Sequence, residues 1–334
     1  MQRLVNWGVL GGSADIARKS FMPAICAASN ARPLALASRQ SATDLAAQHG
    51  FERAYSDYTA LLEDSDVEVV YLPLPNHLHA EWAIRAAEQG KHVVCEKPAA
   101  LGVSEARTII DACKANGVRF MEAFMYQFHP QHARVRELIR QGEIGTVQLI
   151  NLRHSFYMPD DAHGFRLQSL EQGGGALYDI GCYCLHLSRQ LLGEPSALCC
   201  LGELDNPFGC DLTSAGTLLF ESGAVAHFDC SMKAPDRNSY EVVGSLGTLS
   251  VPTAFVPQPD GLGSVELTRK NGEVTRETFH CDHYLAGVEA FSAALLGEGE
   301  LPTSPGDTLA NERVLEACAS SLINRRLVTF PTNV

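Results

Sequence analysis

The 334-residue chain has no cluster of basic residues, no hydrophobic run long enough to cross a membrane and no closely spaced cysteine pair of the C-x-x-C type. Its 26 lysines and arginines are outnumbered by 39 aspartates and glutamates, which gives a net charge of −13. A nucleic-acid surface needs a basic patch, and a bilayer span needs roughly 18 consecutive apolar residues. We therefore expect neither nucleic acid nor a membrane as a partner.

The 11 cysteines are scattered along the chain. The N-terminal sequence MQRLVNWGVLGG lacks the charged region and cleavage pattern of an export signal. Together these features predict reduced thiols and a cytoplasmic location. Cys182, Cys184 and His186 could be read as metal ligands, but alternating positions on a predicted helix point to different faces, so no metal is expected.

Residues 1–124 alternate between short apolar strands and amphipathic helices, which predicts a doubly wound parallel sheet. A strand at 5–12 ends in two glycines, and a helix follows. This order creates a binding site for a diphosphate at the helix N-terminus, although alanines replace the later glycines of G-x-G-x-x-G. The predicted cofactor turn comprises Gly11, Gly12, Ser13, Ala14, Asp15 and Ile16.

The end of the second predicted strand indicates which dinucleotide binds. An NAD-binding fold usually has an acidic residue there that bonds the ribose 2′-hydroxyl, whereas this chain has Ser38 and Arg39. Arg39 can clamp a 2′-phosphate, which favours NADP and leaves NAD possible. The alternative is that Arg39 is a solvated loop residue. The ends of later strands bring further candidate cofactor contacts to the same edge: Leu74, Pro75, Asn76, His79, Glu96 and Lys97.

From residue 125 onward, runs such as TVQLINLRHSFY and YEVVGSLGTLSV are typical of strands joined by tight turns. We predict a second domain over 125–334, an α+β domain with an open, mostly antiparallel sheet. The fold class is α/β, with an N-terminal Rossmann domain. An uncovered apolar sheet face predicts a homo-oligomer, a dimer through this sheet.

The stretch 173–186, GGGALYDIGCYCLH, carries the predicted chemistry. Asp179 and Tyr183 are four residues apart, so on a helix they lie on one face. A tyrosine transfers a proton only if its phenolate is favoured, and the ammonium of Lys97 is the candidate for that. These three residues predict a catalytic site for proton transfer to a carbonyl or alcohol. The alternative is a glycine-rich loop that leads into a core helix.

Five stretches in combination resemble the Gfo/Idh/MocA oxidoreductases: WGVLGGSADIA, LPLPNHLHAEWA, GKHVVCEKPAAL, EAFMYQFHPQH and GGGALYDIGCY. The chain is most similar to the D-xylose and dihydrodiol dehydrogenases and to keto-sugar reductases. The resemblance implies a nicotinamide cofactor and a sugar or polyol substrate. It also implies that Lys97 is the lysine of the EKP motif, that Asp179 orients the substrate and that Tyr183 is catalytic.

We expect hydride transfer between NADP(H) and a carbon of a sugar or cyclic diol. Arg166 is a further predicted cofactor contact. The predicted substrate contacts are Lys97, Tyr126, Phe156, Asp179, Tyr183 and His283. Gln127 stands where relatives often have arginine, so no inference about an anionic substrate follows. The alternatives are a nucleotide-linked keto-sugar reductase, an NAD-dependent glycoside hydrolase and a non-catalytic dinucleotide-sensing regulator.

Overall fold

The computed structural model describes residues 3–159, 164–257, 260–301 and 303–331. The chain divides into two compact units. The first comprises Met1–Phe128 and Asp282–Leu309, and the second comprises His129–Cys281 and Ala310–Val334. Among the helices of the described ranges, none is both long enough and apolar enough to span a bilayer.

The first unit is built on a parallel sheet with the strand order β3-β2-β1-β4-β5-β6. Its strands are β1 (Val5–Leu10), β2 (Ala31–Ala37), β3 (Arg53–Tyr55), β4 (Val69–Leu72), β5 (His92–Cys95) and β6 (Phe120–Glu122). The connecting helices are α1 (Met22–Ala27), α2 (Ala42–Gln48), α3 (Tyr58–Leu62), α4 (His79–Glu88) and α5 (Val103–Ala115). The apolar runs VNWGVL and VVYL form central strands because helices cover both faces of the sheet. The predicted doubly wound sheet is confirmed. Its strand order reverses between β1 and β4, where such sheets bind ligands.

The second unit contains a mixed, mostly antiparallel sheet with the order β14-β13-β12-β11-β7-β10-β9-β8-β15. Only the β7–β10 pair is parallel among the described strands of this sheet. Its elements in chain order are α6 (Pro130–Arg140), β7 (Val147–Tyr157), α7 (Cys182–Leu192), β8 (Pro195–Gly202), β9 (Thr213–Phe220), β10 (Val225–Ser231), β11 (Lys233–Gly244), β12 (Gly247–Val251), β13 (Leu262–Arg269) and β14 (Val274–His280). The strand β15 (Val328–Thr329) closes the order at the other edge. The predicted open sheet is therefore confirmed.

Two helices follow β14 along the chain, α8 (His283–Leu296) and α9 (Pro305–Asn324). The prediction placed everything after residue 125 in one domain, but α8 packs with the first unit. Val288 and Phe291 join the core that contains Trp7, and the Trp7 indole N–H donates to Ser292 Oγ at 3.0 Å. The apolar face of α8 thus covers the parallel sheet, which explains why residues 282–309 belong with it.

The outer face of the second sheet differs from the apolar face that the sequence predicted. Leu201 is 55% exposed there, but Arg237 forms an ion pair with Asp229, and Thr217 Oγ1 is 2.8 Å from His227 Nδ1. The face is therefore mixed in polarity.

Two helices begin with a π-helical segment. Ala17–Phe21 precedes α1, and Leu177–Gly181 precedes α7. Each segment follows one of the two glycine turns that the sequence marks as functional. Such segments are rare and concentrate at functional sites. Asp179 lies in the second segment, so the predicted helix is present but starts with a wider turn.

Candidate active site

The glycine turn after β1 has the backbone that a diphosphate site requires. The N–H groups of Gly11 and Gly12 both donate to Ala37 O, at 2.9 and 3.1 Å. Gly11 has a φ of 112°, and a Cβ on Gly12 would lie 2.8 Å from three atoms of the Leu36 side chain. Side chains are therefore excluded from both positions. The N–H of Ser13 has no acceptor within the described residues, so it remains available to an anion.

The helix that follows the glycine turn begins with an acidic side chain. Asp15 is exposed and pairs with Arg18 and with Lys19, whose Nζ lies 2.9 Å from Asp15 Oδ2. Hydrogen bonds from Lys19 and then from Arg18 lower the pKa of the Asp15 carboxyl. Ala14 and Ile16 are half-buried beside it. The two cations compensate the one negative charge that would repel a diphosphate at this helix end.

At the end of β2, two neighbouring residues that were predicted to contact the cofactor, Ser38 and Arg39, have different surroundings. Ser38 is buried, and its hydroxyl donates to Gln40 O at 2.6 Å. Arg39 is exposed in the same turn and has no hydrogen bond or ion pair to any described residue. Ser38 therefore shapes the turn, while the guanidinium of Arg39 is free to meet a ligand.

His79 was predicted to contact the cofactor, but its surroundings do not agree with that role. The ring is fully buried, with Nε2 2.8 Å from Leu74 O and Nδ1 2.9 Å from Pro98 O. Burial lowers the pKa of His79 to about 4, although the two carbonyl oxygens favour the protonated ring. The neutral ring has one N–H, so it donates to one of these two carbonyl oxygens and packs against the other. His79 therefore links the loop after β4 with the loop after β5.

The loop that His79 supports carries three other predicted cofactor contacts. Leu74 and Asn76 are largely buried, and Pro75 between them is half-buried. The Leu74 side chain approaches the glycine turn, because a Cβ on Gly11 would lie 3.0 Å from its Cδ2. The loop after β4 and the glycine turn are therefore direct neighbours, as the switch point of the sheet requires.

Glu96 and Lys97 differ in what they offer at the end of β5. The Tyr71 hydroxyl donates to Glu96 Oε1 at 2.7 Å, and the Lys97 N–H donates to Glu96 Oε2 at 3.3 Å. Glu96 is thus a buried anchor of the EKP turn. Lys97 is half-buried, precedes the cis peptide bond to Pro98, and its charge contributes to the lowered pKa of His79.

Tyr126 and His283 both lie in the first unit. Tyr126 is 1% exposed and packs edge-on against Phe124, with ring centroids 6.3 Å apart. His283 begins α8 and lies 4.4 Å from the ring of Tyr284. Gly287 of α8 faces Met125 and Phe128, so the helix packs directly on the turn that holds Tyr126.

In the second unit, Arg166 reaches two of the predicted residues. Its Nε donates to Asp179 Oδ2 at 2.7 Å, and its guanidinium lies 5.9 Å from the centre of the Phe156 ring. Arg166 also stacks over Phe165 at 4.7 Å. The sequence predicted Arg166 as a cofactor contact; in this structure it fixes the carboxylate of Asp179.

Tyr183 is half-buried and belongs to an aromatic cluster with His154 and Phe255. Its ring centroid is 5.3 Å from that of His154 and 5.4 Å from that of Phe255, while His154 stacks on Phe255 at 5.0 Å. Phe255 is held in place because its N–H donates to Asn238 Oδ1 at 2.6 Å.

The cluster adds two residues that the sequence analysis missed. His154 shares one face of β7 with Phe156, so the two-residue period of the strand could have found it. Phe255 lies about 70 residues from Tyr183 in a loop, and no local pattern marks it.

The glycine run before Asp179 is shaped by two close approaches. A Cβ on Gly174 would collide with Gln168 O, and a Cβ on Gly175 would collide with Asp211 Oδ1. Gly175 also has a φ of 100°. Gly174 and Gly175 are therefore required by neighbouring protein atoms.

Comparison with known proteins identifies the family. Residues 5–124 match the oxidoreductase family with the NAD-binding Rossmann fold, and residues 132–250 match the GFO/IDH/MocA C-terminal domain. A D-xylose 1-dehydrogenase (NADP(+)) of Haloferax volcanii is 38% identical over 300 residues, which cover 89% of this chain and 90% of that relative. The chain belongs to the Gfo/Idh/MocA oxidoreductase family.

Other members of the Gfo/Idh/MocA family extend the comparison. A dTDP-3,4-didehydro-2,6-dideoxy-alpha-D-glucose 3-reductase of Saccharopolyspora spinosa is 33% identical and covers 81% of each chain. The crystal structure of a 3-ketoreductase from Actinomadura kijaniata, in complex with NADP and TDP-benzene, has a TM-score of 0.87 at 29% identity and covers 96% of this chain and 98% of that chain. Variants of that ketoreductase with a tyrosine changed to phenylalanine and with a lysine changed to alanine have also been solved.

The residues of the glycine turn fit the dinucleotide of this family. The site offers a side-chain-free cradle, an open backbone N–H and an unpaired arginine at the end of β2, all within the described part of the first unit. The protein is thus an NAD(P)-dependent oxidoreductase.

Proposed function

We propose that this oxidoreductase moves a hydride reversibly between NADP(H) and a ring carbon of a sugar or cyclic diol. Tyr183 and Lys97 serve as its proton-transfer pair. The observation that carries the proposal is the arrangement around Tyr183. A half-buried phenol and a carboxylate held by Arg166 lie one helical turn apart, and aromatic rings surround the phenol. Carbonyl and alcohol chemistry needs such a positioned acid–base group.

When bound, the nicotinamide supplies the hydride acceptor or donor. Tyr183 Oη takes the proton of the substrate hydroxyl during oxidation and returns it during reduction. The ammonium of Lys97 favours the phenolate and donates a hydrogen bond to the substrate oxygen on which charge develops. Asp179, fixed by Arg166, accepts a hydrogen bond from the substrate and orients it.

The cofactor preference follows from Arg39. Its unpaired, exposed guanidinium can bind a 2′-phosphate through two parallel hydrogen bonds, and β2 ends in no carboxylate that would repel one. Ser13 and Asn76 complete the proposed dinucleotide contacts, while Ser38, Glu96 and His79 shape the loops that present them. NADP is therefore the proposed main cofactor.

The substrate is proposed to be an uncharged sugar or diol. Phe156 and Phe255 offer flat apolar surfaces beside the polar groups of Asp179 and Tyr183, a combination typical of pockets for small polyhydroxy molecules. Tyr126 and His283 are the proposed contacts from the first unit. The D-xylose dehydrogenase relative supports a free aldose.

A nucleotide-linked keto-sugar is the second candidate substrate. The 33% identical reductase and the structural match to the 3-ketoreductase favour it, because both cover most of the chain. The proton chemistry of Tyr183 and Lys97 would be the same in the direction of reduction.

An absorbance assay of the reduced nicotinamide separates these functions. We expect NADP reduction with an aldose or cyclic diol, and little NADPH oxidation with nucleotide-linked keto-sugars. The reverse pattern would establish the second candidate. Sugar release from glycosides without net cofactor turnover would instead indicate a hydrolase, and dinucleotide binding without any turnover would indicate a regulator.

We also propose a cytoplasmic location and assembly as a dimer through the second sheet. The exposed leucines Leu201 and Leu219, at 55% and 45%, support a contact surface there. The ion pair and hydrogen bonds on the same face are compatible with a partly polar interface.

A further inference from the structure

Asp211 is a fully buried carboxylate that no step of the proposed reaction uses. It precedes β9 and meets the start of the segment that carries Asp179 and Tyr183. Its Oδ2 accepts a hydrogen bond from Leu177 N at 2.8 Å, and its backbone oxygen accepts one from Ala176 N at 2.7 Å. An aspartate from 34 residues away therefore caps this helix, a role that a neighbouring residue usually has.

The carboxylate also fixes the bend that precedes the helix. Gly175 approaches Asp211 so closely that a Cβ would collide with Oδ1. The Gly175 N–H donates to Arg166 O at 2.9 Å, and Gly175 O accepts from Asp179 N at 3.0 Å. Gly175, held against Asp211, thus connects the backbone of Arg166 to the first turn of the segment that contains Asp179.

The position of Asp211 is costly for a carboxylate. Burial raises its pKa to about 6, partly offset by Ser214 and by the N–H of Leu177. Oδ1 has no hydrogen-bond donor among the described residues. A group chosen only for stability would be neutral here, because an ionised buried carboxylate with one unpaired oxygen is unfavourable.

We propose that Asp211 is a positioning residue for the reaction. It holds the N-terminus of the segment Leu177–Gly181, so that Asp179 and Tyr183 face the substrate at the correct distance. This inference rests on the proposed function, since it assigns Asp211 an effect on catalysis through those two side chains. The negative charge at the helix start adds a favourable interaction with the helix dipole, which a neutral side chain would lack.

Asp211→Asn tests the idea with a side chain of the same shape. We expect kcat to fall at least about tenfold, because small displacements of catalytic groups have large effects on rate. The KM for NADP should stay within about twofold, because the proposed cofactor contacts lie in the first unit. The thermal unfolding midpoint should not fall, since the costly buried charge is gone. Asp57→Asn is the control, because exposed Asp57 caps α3 through Ala60 N in the first unit.

A second background shows whether Asp211 acts through Tyr183. In a Tyr183→Phe variant, adding Asp211→Asn should lower kcat by a smaller factor than in the wild type, because one of the two groups that Asp211 positions is already lost. If Asp211→Asn does not fold, Asp211→Glu replaces it, as it keeps the charge but displaces the carboxylate by one methylene. We expect the same loss of kcat from that variant.

A folded Asp211→Asn or Asp211→Glu with wild-type kcat would overturn the inference, and so would a full additional loss in the Tyr183→Phe background. Either result, together with low activity of Tyr183→Phe alone, would leave the proposed function intact. Normal kcat in Tyr183→Phe itself would overturn the proposed function, and this inference with it.

Discussion

Single side chains at the edge of the first sheet either hold the loops or remain open to a ligand. His79 lies between two backbone carbonyls and donates to one of them, and Glu96 accepts the Tyr71 hydroxyl, so both stabilise the loops. Arg39 has no partner within the described residues and is exposed. The division predicts different phenotypes for the two positions: changes in cofactor choice at Arg39 and changes in stability at His79.

Arg39→Ala should raise the KM for NADP by one to two decades and leave the KM for NAD nearly unchanged. A charge-assisted contact to the 2′-phosphate is worth about 1.5–3 kcal/mol, which corresponds to this change. Steady-state kinetics with both cofactors measure it. Arg107→Ala, which removes an exposed arginine on α5, is the matched control. Equal use of both cofactors by the unmutated enzyme would contradict the role of Arg39.

His79 should make the stability of the protein sensitive to acid. Its pKa is about 4 in the folded state and 6.5 in the unfolded chain, so the unfolded chain binds more protons between these values. The free energy of unfolding should therefore fall by up to about 3 kcal/mol as the pH drops from 6.5 to 4. His79→Gln should be less stable at neutral pH and lack this dependence. Urea unfolding at several pH values measures both, and equal pH dependence in the two proteins would exclude this role.

At the residue scale, the sequence predicted which side chains meet at the sheet edge but not which way they point. The ends of the predicted strands and the EKP motif placed His79 and Glu96 at this edge. Their burial depends on Pro98 O and Tyr71, which come from other elements, and no local pattern encodes such contacts. The same limit explains why Phe255 was missed.

At the scale of elements, the glycine bend at 173–175 leads directly into the π-helical turn Leu177–Gly181 before α7, and the two act together. The turn is wider than an α-helical turn, so it displaces Asp179 relative to Tyr183 while both remain on one segment. The helices themselves were predictable. The apolar pattern and the glycines Gly90 and Gly117 predict helices at 79–89 and 104–116, and α4 and α5 begin and end within one residue of these bounds. The π-helical turn before α7 was not predictable, because it follows Gly175, which packs against Asp211 from a different part of the chain.

Gly175→Ala should destabilise the protein more than an alanine at another glycine with positive φ. Gly175 and Gly193 both have positive φ, at 100° and 83°, but only Gly175 has neighbours where the Cβ would lie. We expect about 1–3 kcal/mol of destabilisation for Gly193→Ala from backbone strain alone. Gly175→Ala should lose roughly 1–3 kcal/mol more through overpacking and should also lose kcat. Equal stability and activity of the two variants would contradict the account.

At the scale of the whole molecule, the chain divides into two units, and the pattern of helices and strands does not show to which unit each helix belongs. The apolar pattern at about 284–296 predicts α8 as a helix. Its assignment to the first unit depends on Phe291 packing with Trp7, 284 residues earlier in the chain. An amphipathic pattern shows that a helix has a buried face and does not identify the partner surface. The resemblance to a known family predicted the two folds and the cofactor class, and these are confirmed.

The exposed leucines of the second sheet are the basis of the proposed dimer. Light scattering at micromolar concentration should give twice the chain mass of 36.2 kDa. Leu201→Lys, which adds a charge to the exposed face, should shift the mass towards the monomer while the thermal unfolding curve keeps one transition. The monomer mass for the unmutated protein would rule out this assembly.

The most direct test of the central claim is the turnover of Tyr183→Phe, with Tyr178→Phe as its control. Tyr178 lies on the same segment, but burial raises its pKa well above the usual range, so it is unsuited to proton transfer. We expect kcat to fall by roughly 10²–10⁴ in Tyr183→Phe with unchanged cofactor binding. Lys97→Ala should lose at least as much, and the double variant scarcely more, because both groups act on one proton. Near-normal kcat in Tyr183→Phe would contradict the account.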